Sequence, residues 1–264
     1  MKTNMKYIIP VVIVILLLIG VGIYLKTKSG NNNQDSGSVK KGKEVSIEEV
    51  VFNMPEYSKE SCNEYINTKT KQTNDTKAEK KLNEIIENSK KYTSFASRTE
   101  ISIGKNDVER FINDENNRQE YFGGGRENWD DLQVTVKGET WLKYNPDSPF
   151  KKTELDSEYV EEIKDVIIIN KHLEMLVDLE NKAVTFDSNS KDDTLLVSGI
   201  RHEEIGGKDL PRIEYIVIKF KDNLPTSTQR YSRLTQDAED SSYCTTVVTT
   251  FSNVGDTFKI EKPE

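Results

Sequence analysis

The sequence predicts an α+β domain in which helices cover one face of a large, curved antiparallel sheet, an open half-barrel, set behind one transmembrane helix. Three observations lead there. Apolar residues run almost unbroken from Tyr7 to Leu25; the first structured segments carry helical hydrophobic spacing; and from Phe95 the period falls from 3.6 to 2, becoming helical again only once.

Within residues 7–25 Pro10 is the single interruption, and the length suits a bilayer core of about 30 Å. The first cysteine, Cys62, lies too far along to be the acylated residue of a lipoprotein signal. The exit Gly22-Ile23-Tyr24-Leu25-Lys26 places bulky groups where a signal peptidase needs small ones, so an uncleaved signal anchor is expected. Lys2 and Lys6 precede the helix while Lys26 and Lys28 follow it, which nearly balances the charge rule for orientation. The short leader, residues 1–6, favours a cytoplasmic amino terminus. The chain is then a single-pass protein of the bacterial cell membrane with an extracytoplasmic carboxy-terminal domain. Ser29 to Ser38 contain no large apolar residue, so residues 26–43 read as a flexible linker and 44–264 as the domain.

Ser46-Ile47-Glu48-Glu49 forms a capping box, and Ile47, Val50, Val51 and Met54 share a helical face before Pro55, which predicts a short amphipathic helix. A polar stretch containing Cys62 follows. A second box, Thr76-Lys77-Ala78-Glu79, opens the stripe Leu82, Ile85, Ile86, Ser89 and Tyr92. Alternation then predicts strands over 95–103, 108–112, 118–122, 134–136 and 140–144, the last ended by Asn145-Pro146-Asp147-Ser148-Pro149. Helical spacing returns from Ser157 to about Ile169, although Val166 to Ile169 suits a strand equally well. The final third predicts strands over 184–186, 194–203, 212–220, 227–234, 245–251 and 257–260, with Gly206-Gly207 as a hairpin turn. Ile213 to Ile218 is apolar on nearly both faces, so that strand should be central and covered on both sides. Helices lying over a twisted sheet leave an apolar cavity wherever they do not fill it.

The chain holds 37 basic and 45 acidic residues, a net charge of -8, and residues 1–28 contain four lysines and no acid. The remainder is therefore at -12, which disfavours nucleic acid and charge-driven adhesion to anionic lipid. With 34% apolar and 31% charged residues the chain is too polar for a polytopic membrane protein. Catalytic and metal motifs are lacking. His202-Glu203 begins like a zinc-protease helix, but Gly206 stands where the second histidine must be. Asp187 to Asp193 departs from a calcium loop by Lys191 at a ligand position and Asp192 in place of glycine. Gly123-Gly124-Gly125-Arg126 has no following Lys-Ser/Thr pair, and no Gly-x-Ser-x-Gly elbow occurs. A surface or half-buried role is the expectation for both His172 and His202, with no metal and no cofactor. Cys62 and Cys244, the two cysteines, permit one disulfide in an exported domain or two separate buried thiols. Phe95, Tyr121, Trp141, Tyr215 and Phe220, spread over successive strands, could line an acyl pocket; strand aromatics more often form core.

The segments Ile216-Val217-Ile218-Lys219-Phe220, Lys221-Asp222-Asn223-Leu224-Pro225, Gln229-Arg230-Tyr231, Val248 to Gly255 and Ile260-Glu261-Lys262-Pro263 carry a resemblance. In these, and in element order over roughly residues 78–263, the chain resembles the LolA-like family of lipoprotein carriers and LppX/LprG-type lipid-binding proteins. The resemblance implies an unclosed barrel, roofed by helices, that accepts acyl chains without catalysing a reaction. Retention of an anchor departs from the soluble carriers, and the missing acylated cysteine departs from the lipoproteins. The expected function is thus local binding of a lipid acyl chain or lipidated protein near the membrane. The alternative is an envelope protein-interaction or sensory module on the same scaffold without lipid.

Overall fold

A computed structural model describes residues 42–54, 62–68, 73–102, 107–154, 168–187, 193–205, 208–235 and 244–263. The anchor 7–25, nearly all of the linker, Pro55, the strand end at Ile103, helix 157–167, residues 188–192 and the Gly206-Gly207 turn lie outside them. Among the described residues no helix is long and apolar enough to cross a membrane.

The described residues open with a two-residue strand, β1 (Glu44–Val45), and a 3-10 turn at Ile47–Glu49. The amphipathic helix expected here does not form. The Ser46 hydroxyl bonds the Glu48 side chain instead of a backbone amide, and the Val50 carbonyl, which a helix would use internally, accepts from the Arg126 guanidinium at 2.8 Å. Val45, Ile47 and Val50 lie instead against Ala96 and Phe111 of the sheet.

Two helices follow, α1 (Cys62–Thr68) and α2 (Thr76–Ser89). The first was unexpected in a polar stretch. For α2 the cap is Asp75, one residue before the box read from the sequence; its carboxylate accepts from the Lys77 amide at 2.8 Å and the Ala78 amide at 3.4 Å. The stripe itself is as expected, with Ala78, Leu82, Ile85, Ile86 and Ser89 buried.

Among the described residues eleven strands form one open antiparallel sheet. In chain order they are β2 (Phe95–Ile101), β3 (Val108–Asp114), β4 (Asn117–Phe122), β5 (Asp131–Val136), β6 (Glu139–Lys143) and β7 (Lys151–Thr153), then β8 (Glu180–Phe186), β9 (Thr194–Ile205), β10 (Lys208–Lys221), β11 (Leu224–Leu234) and β12 (Cys244–Ser252). A third helix, α3 (Ile169–Val177), joins the two runs. Each run is a meander, and the two are stitched by β2 against β12, with Thr99 opposite Thr249 and Ser97 opposite Phe251. Lastly β13 (Thr257–Phe258) pairs in parallel with β1.

Strand alternation assigns the faces. On one, α2 and α3 pack through Leu82, Ile85, Leu173 and Leu176 onto Phe95, Ile112, Val197, Ile216, Ile218 and Phe251. On the other, Ile213, Tyr215 and Val217 meet α1, whose Tyr65 stacks on Tyr231 at 3.7 Å. The central strand β10 is thus covered on both sides, as its apolar run requires. The expectation that helices occupy one face alone is corrected: α1 sits on the opposite one, held by Tyr65, Ile66 and the bond between Cys62 and Cys244, whose Cα atoms are 5.7 Å apart.

Candidate ligand-binding site

Beneath α3, on the face it shares with α2, lies a cavity of about 30 Å³. That is room for about two water molecules. Met175, Leu176, Val247 and Phe251 supply its apolar wall, and Ser97, Thr99, Thr228 and Thr249 bring hydroxyls to the strand side. Arg110, Arg230 and His172 complete it. The stitch between the two meanders builds this lining, since Ser97 and Thr99 come from β2 while Val247, Thr249 and Phe251 come from β12.

The charged side chains are organised by two buried glutamates. Glu120 accepts from Arg110 Nε at 3.1 Å, Arg118 Nε at 3.0 Å and Gln133 Nε2 at 3.2 Å. Glu214, fully buried, accepts from Arg230 Nε at 3.0 Å and the Ser232 hydroxyl at 3.1 Å, and pairs with Arg201 at 3.2 Å. Burial works to raise the Glu214 carboxyl, yet Arg230 and Arg201 outweigh it and hold the group below the usual glutamate range. A smaller cavity of about 10 Å³ adjoins, sharing Arg230 and Val247 and lined also by Arg212 and Glu203.

Arg201 has a second task. Its Nη2 donates to the carbonyls of Met175 at 3.0 Å and Leu176 at 2.9 Å, the last turn of α3. Those carbonyls lack helical partners, and a cation there also complements the helix dipole. The helix is therefore latched to the sheet through Arg201 and Glu214 as well as through its apolar face.

His172 is buried beside Phe251, with ring centroids 5.7 Å apart. Burial, reinforced by the nearby Arg110 and Arg230 charges, pushes its pKa down to about 4. The imidazole is neutral in the folded protein at pH 7. Because the unfolded chain takes up this proton near pH 6.5 and the folded one only near 4, stability falls as pH drops through that window, by about 3 kcal/mol in all. His172→Gln is expected to flatten that slope in urea titrations at pH 7, 6, 5 and 4; an unchanged slope would show that His172 does not carry it.

The five aromatic residues singled out in the sequence do not gather. Phe95 and Phe220 lie on the α2–α3 face, in the main core. Tyr121 contacts Phe111 on the opposite face, Tyr215 contacts Tyr65 there, and Trp141, paired with Val134, carries Lys262 Nζ 4.9 Å from its ring centroid. None of the five lines the cavity under α3. The apolar space expected under the helices is occupied by core side chains, and what stays open also holds guanidiniums and an imidazole. Alternation does not mark these guanidiniums, because the Glu120 and Glu214 carboxylates that hold Arg110 and Arg230 lie on neighbouring strands. One signal was present: Glu214 interrupts the otherwise apolar run Ile213 to Ile218, in a strand that is covered on both sides. His202 sits on β9, hydrogen-bonded to Asp209 and Glu180, each at 2.8 Å, and the Asp209 and Glu180 carboxylates raise its pKa. Among the described residues no group of three metal-ligating side chains occurs.

No family model matches the chain, and no curated protein matches it. Among solved structures, the crystal structure of LprF from Mycobacterium bovis aligns with 72% of this chain and 99% of that one, at 15% identity and a TM-score of 0.44.

Proposed function

We propose that residues 44–264 form an extracytoplasmic binding domain, held at the cell membrane by helix 7–25, that takes an acyl chain of a lipid or lipidated protein between α3 and the sheet. The chemistry is binding, not catalysis. One observation carries the reading: an open sheet is roofed on one face by two helices that hold it through apolar side chains, and a cavity already parts α3 from the strands. This is the arrangement that the LolA-like resemblance of the sequence leads one to expect. At about 30 Å³ the cavity does not accommodate a chain as it stands, so loading requires α3 to move outward and release its Arg201 latch.

The test is to insert a protease site in the linker, purify the full chain from membranes, release the domain and analyse its organic extract by mass spectrometry. Near-stoichiometric acyl lipid is the expected result. An extract free of lipid would sink this reading in favour of an envelope interaction or sensory module, to which the closed state of the cavity is already suited. Orientation is tested in intact cells with a membrane-impermeant thiol reagent. Labelling of Cys62 and Cys244 only after reduction is expected; labelling that needs permeabilised cells would place the domain in the cytoplasm.

A further inference from the structure

One residue lining the cavity under α3 has a buried polar atom with no hydrogen-bond partner among the described residues. That residue is His172, and the atom is its Nε2, which is fully buried. The residue as a whole is 9% exposed. Leaving such an atom unmatched costs about 1–3 kcal/mol, and an acyl chain placed against it would satisfy nothing. A neutral imidazole can present an N–H at Nε2, and it stays neutral here because burial and two cations oppose its protonation.

Those cations define the potential. Arg110 lines the same cavity and shares the Glu120 carboxylate with Arg118, so two guanidiniums are set against one carboxylate in a buried cluster. Arg230 approaches from the other meander. Hydroxyls of Ser97 and Thr228 stand on the strand side. N–H and O–H donors, a positive local field and space for about two oxygen atoms match an oxyanion better than a hydrocarbon or a cation.

We propose that this cavity is an anion subsite, which receives a carboxylate or phosphate group with its oxygens against His172 Nε2 and the guanidinium of Arg110. The proposal rests on the reading that this face takes an amphipathic ligand, and it assigns that ligand an anionic end. The two meanders then each contribute a cation, and α3 contributes the imidazole that the ligand would reach on entering beneath the helix.

The test uses the full chain in phosphatidylcholine nanodiscs and follows the imidazole ¹⁵N resonances. With two histidines in the chain, His202→Asn assigns them. Hexanoate, hexanol and inorganic phosphate are titrated separately. Hexanoate is expected to shift the His172 Nε2 resonance saturably and leave His202 unmoved, hexanol to have no comparable effect, and Arg110→Gln to weaken hexanoate by about tenfold or more. A response to phosphate at concentrations equal to or below those of hexanoate would support the anion subsite and identify a free anion as its occupant. A response to hexanol as large as that to hexanoate would overturn the proposal, since the cavity would be taking the chain. So would the absence of any response in the unmodified protein, whatever the fate of the Arg110 variant. Lipid recovered by extraction without an anion response would leave the acyl-binding reading standing and remove this one; an anion response without extracted lipid would do the reverse.

Discussion

Replacing Cys62 and Cys244 together by serine is expected to lower the stability of the folded domain by about 4 kcal/mol, because the bond closes a loop between residues 182 apart. Restraint on the unfolded chain grows with the logarithm of loop length, so this cross-link stands near the upper end of what one disulfide contributes. A local effect accompanies it. The helix α1 has seven residues, too few to persist alone, and it holds the sheet by Tyr65 and Ile66 against Tyr215 and Tyr231. Without the covalent hold, α1 should open before the sheet does. Urea unfolding with and without reductant measures the first effect, and amide exchange over 62–68 measures the second. A loss below about 1 kcal/mol, or α1 amides as protected as those of β10 after reduction, would show that the bond is dispensable.

Glu214→Gln is expected to cost about 3–5 kcal/mol. The carboxylate is fully buried and balances Arg201 and Arg230, and removing its charge leaves those guanidiniums around a neutral amide in the interior. The damage should reach α3, because Arg201 caps that helix only while Glu214 holds it in place. Increased exchange at α3 amides would therefore accompany the lower urea midpoint. The same pairing sets an acid limit. Since its folded pKa lies below the ordinary glutamate value, Glu214 contributes stability that is present above about pH 4.3 and is lost as pH falls through the folded value. This loss begins where the His172 contribution has been exhausted, so acid unfolding should proceed in two ranges, the upper sensitive to His172→Gln and the lower to Glu214→Gln. A variant at Glu214 that matched the unmodified protein in both ranges would show the network to be ornamental to stability.

The strands were legible in the sequence because period-2 alternation and turn residues are local signals. Those over 95–101, 108–114, 194–205 and 224–234 fall where alternation put them, within a few residues. Strand β7, Lys-Lys-Thr at the sheet edge, has no apolar residue and left no pattern to read. Helix α3 runs over Ile169–Val177, at the end of an apolar run that fits a helix and a strand alike; the structure leaves Ile168 extended as its cap. Its inward residues, Leu173, Leu176 and Val177, follow in helical spacing, a signal that lies beyond the ambiguous run. The candidate site was least legible, because its parts come from β2, β3, β11, β12 and α3. The β2–β12 stitch that assembles it joins residues about 150 positions apart, and alternation says nothing about such partners. The buried Arg110 and Arg230 left no such signal: their glutamates lie on neighbouring strands, and only register reveals the match.

The parallel pairing of β1 with β13 ties the first described residues to the last strand. Gly42 N–H donates to the Gly255 carbonyl at 2.7 Å and Thr257 N–H to the Lys43 carbonyl at 3.0 Å, while Asn113 clamps Phe258 from both sides of its peptide. Because that pairing is parallel, Gly42 lies beside Gly255 and not beside Pro263, so a linker closing the circle has to run back along about eight residues of chain, up to roughly 25 Å, and the exposed Asn145–Asp147 turn offers a place to open it again without cutting a strand. A circular permutant beginning at Asp147 would keep the pairing of every strand in the sheet. The position from which a tether leaves the domain is therefore separable from the fold, and a membrane anchor attached at that turn would present a different edge of the same sheet to the bilayer.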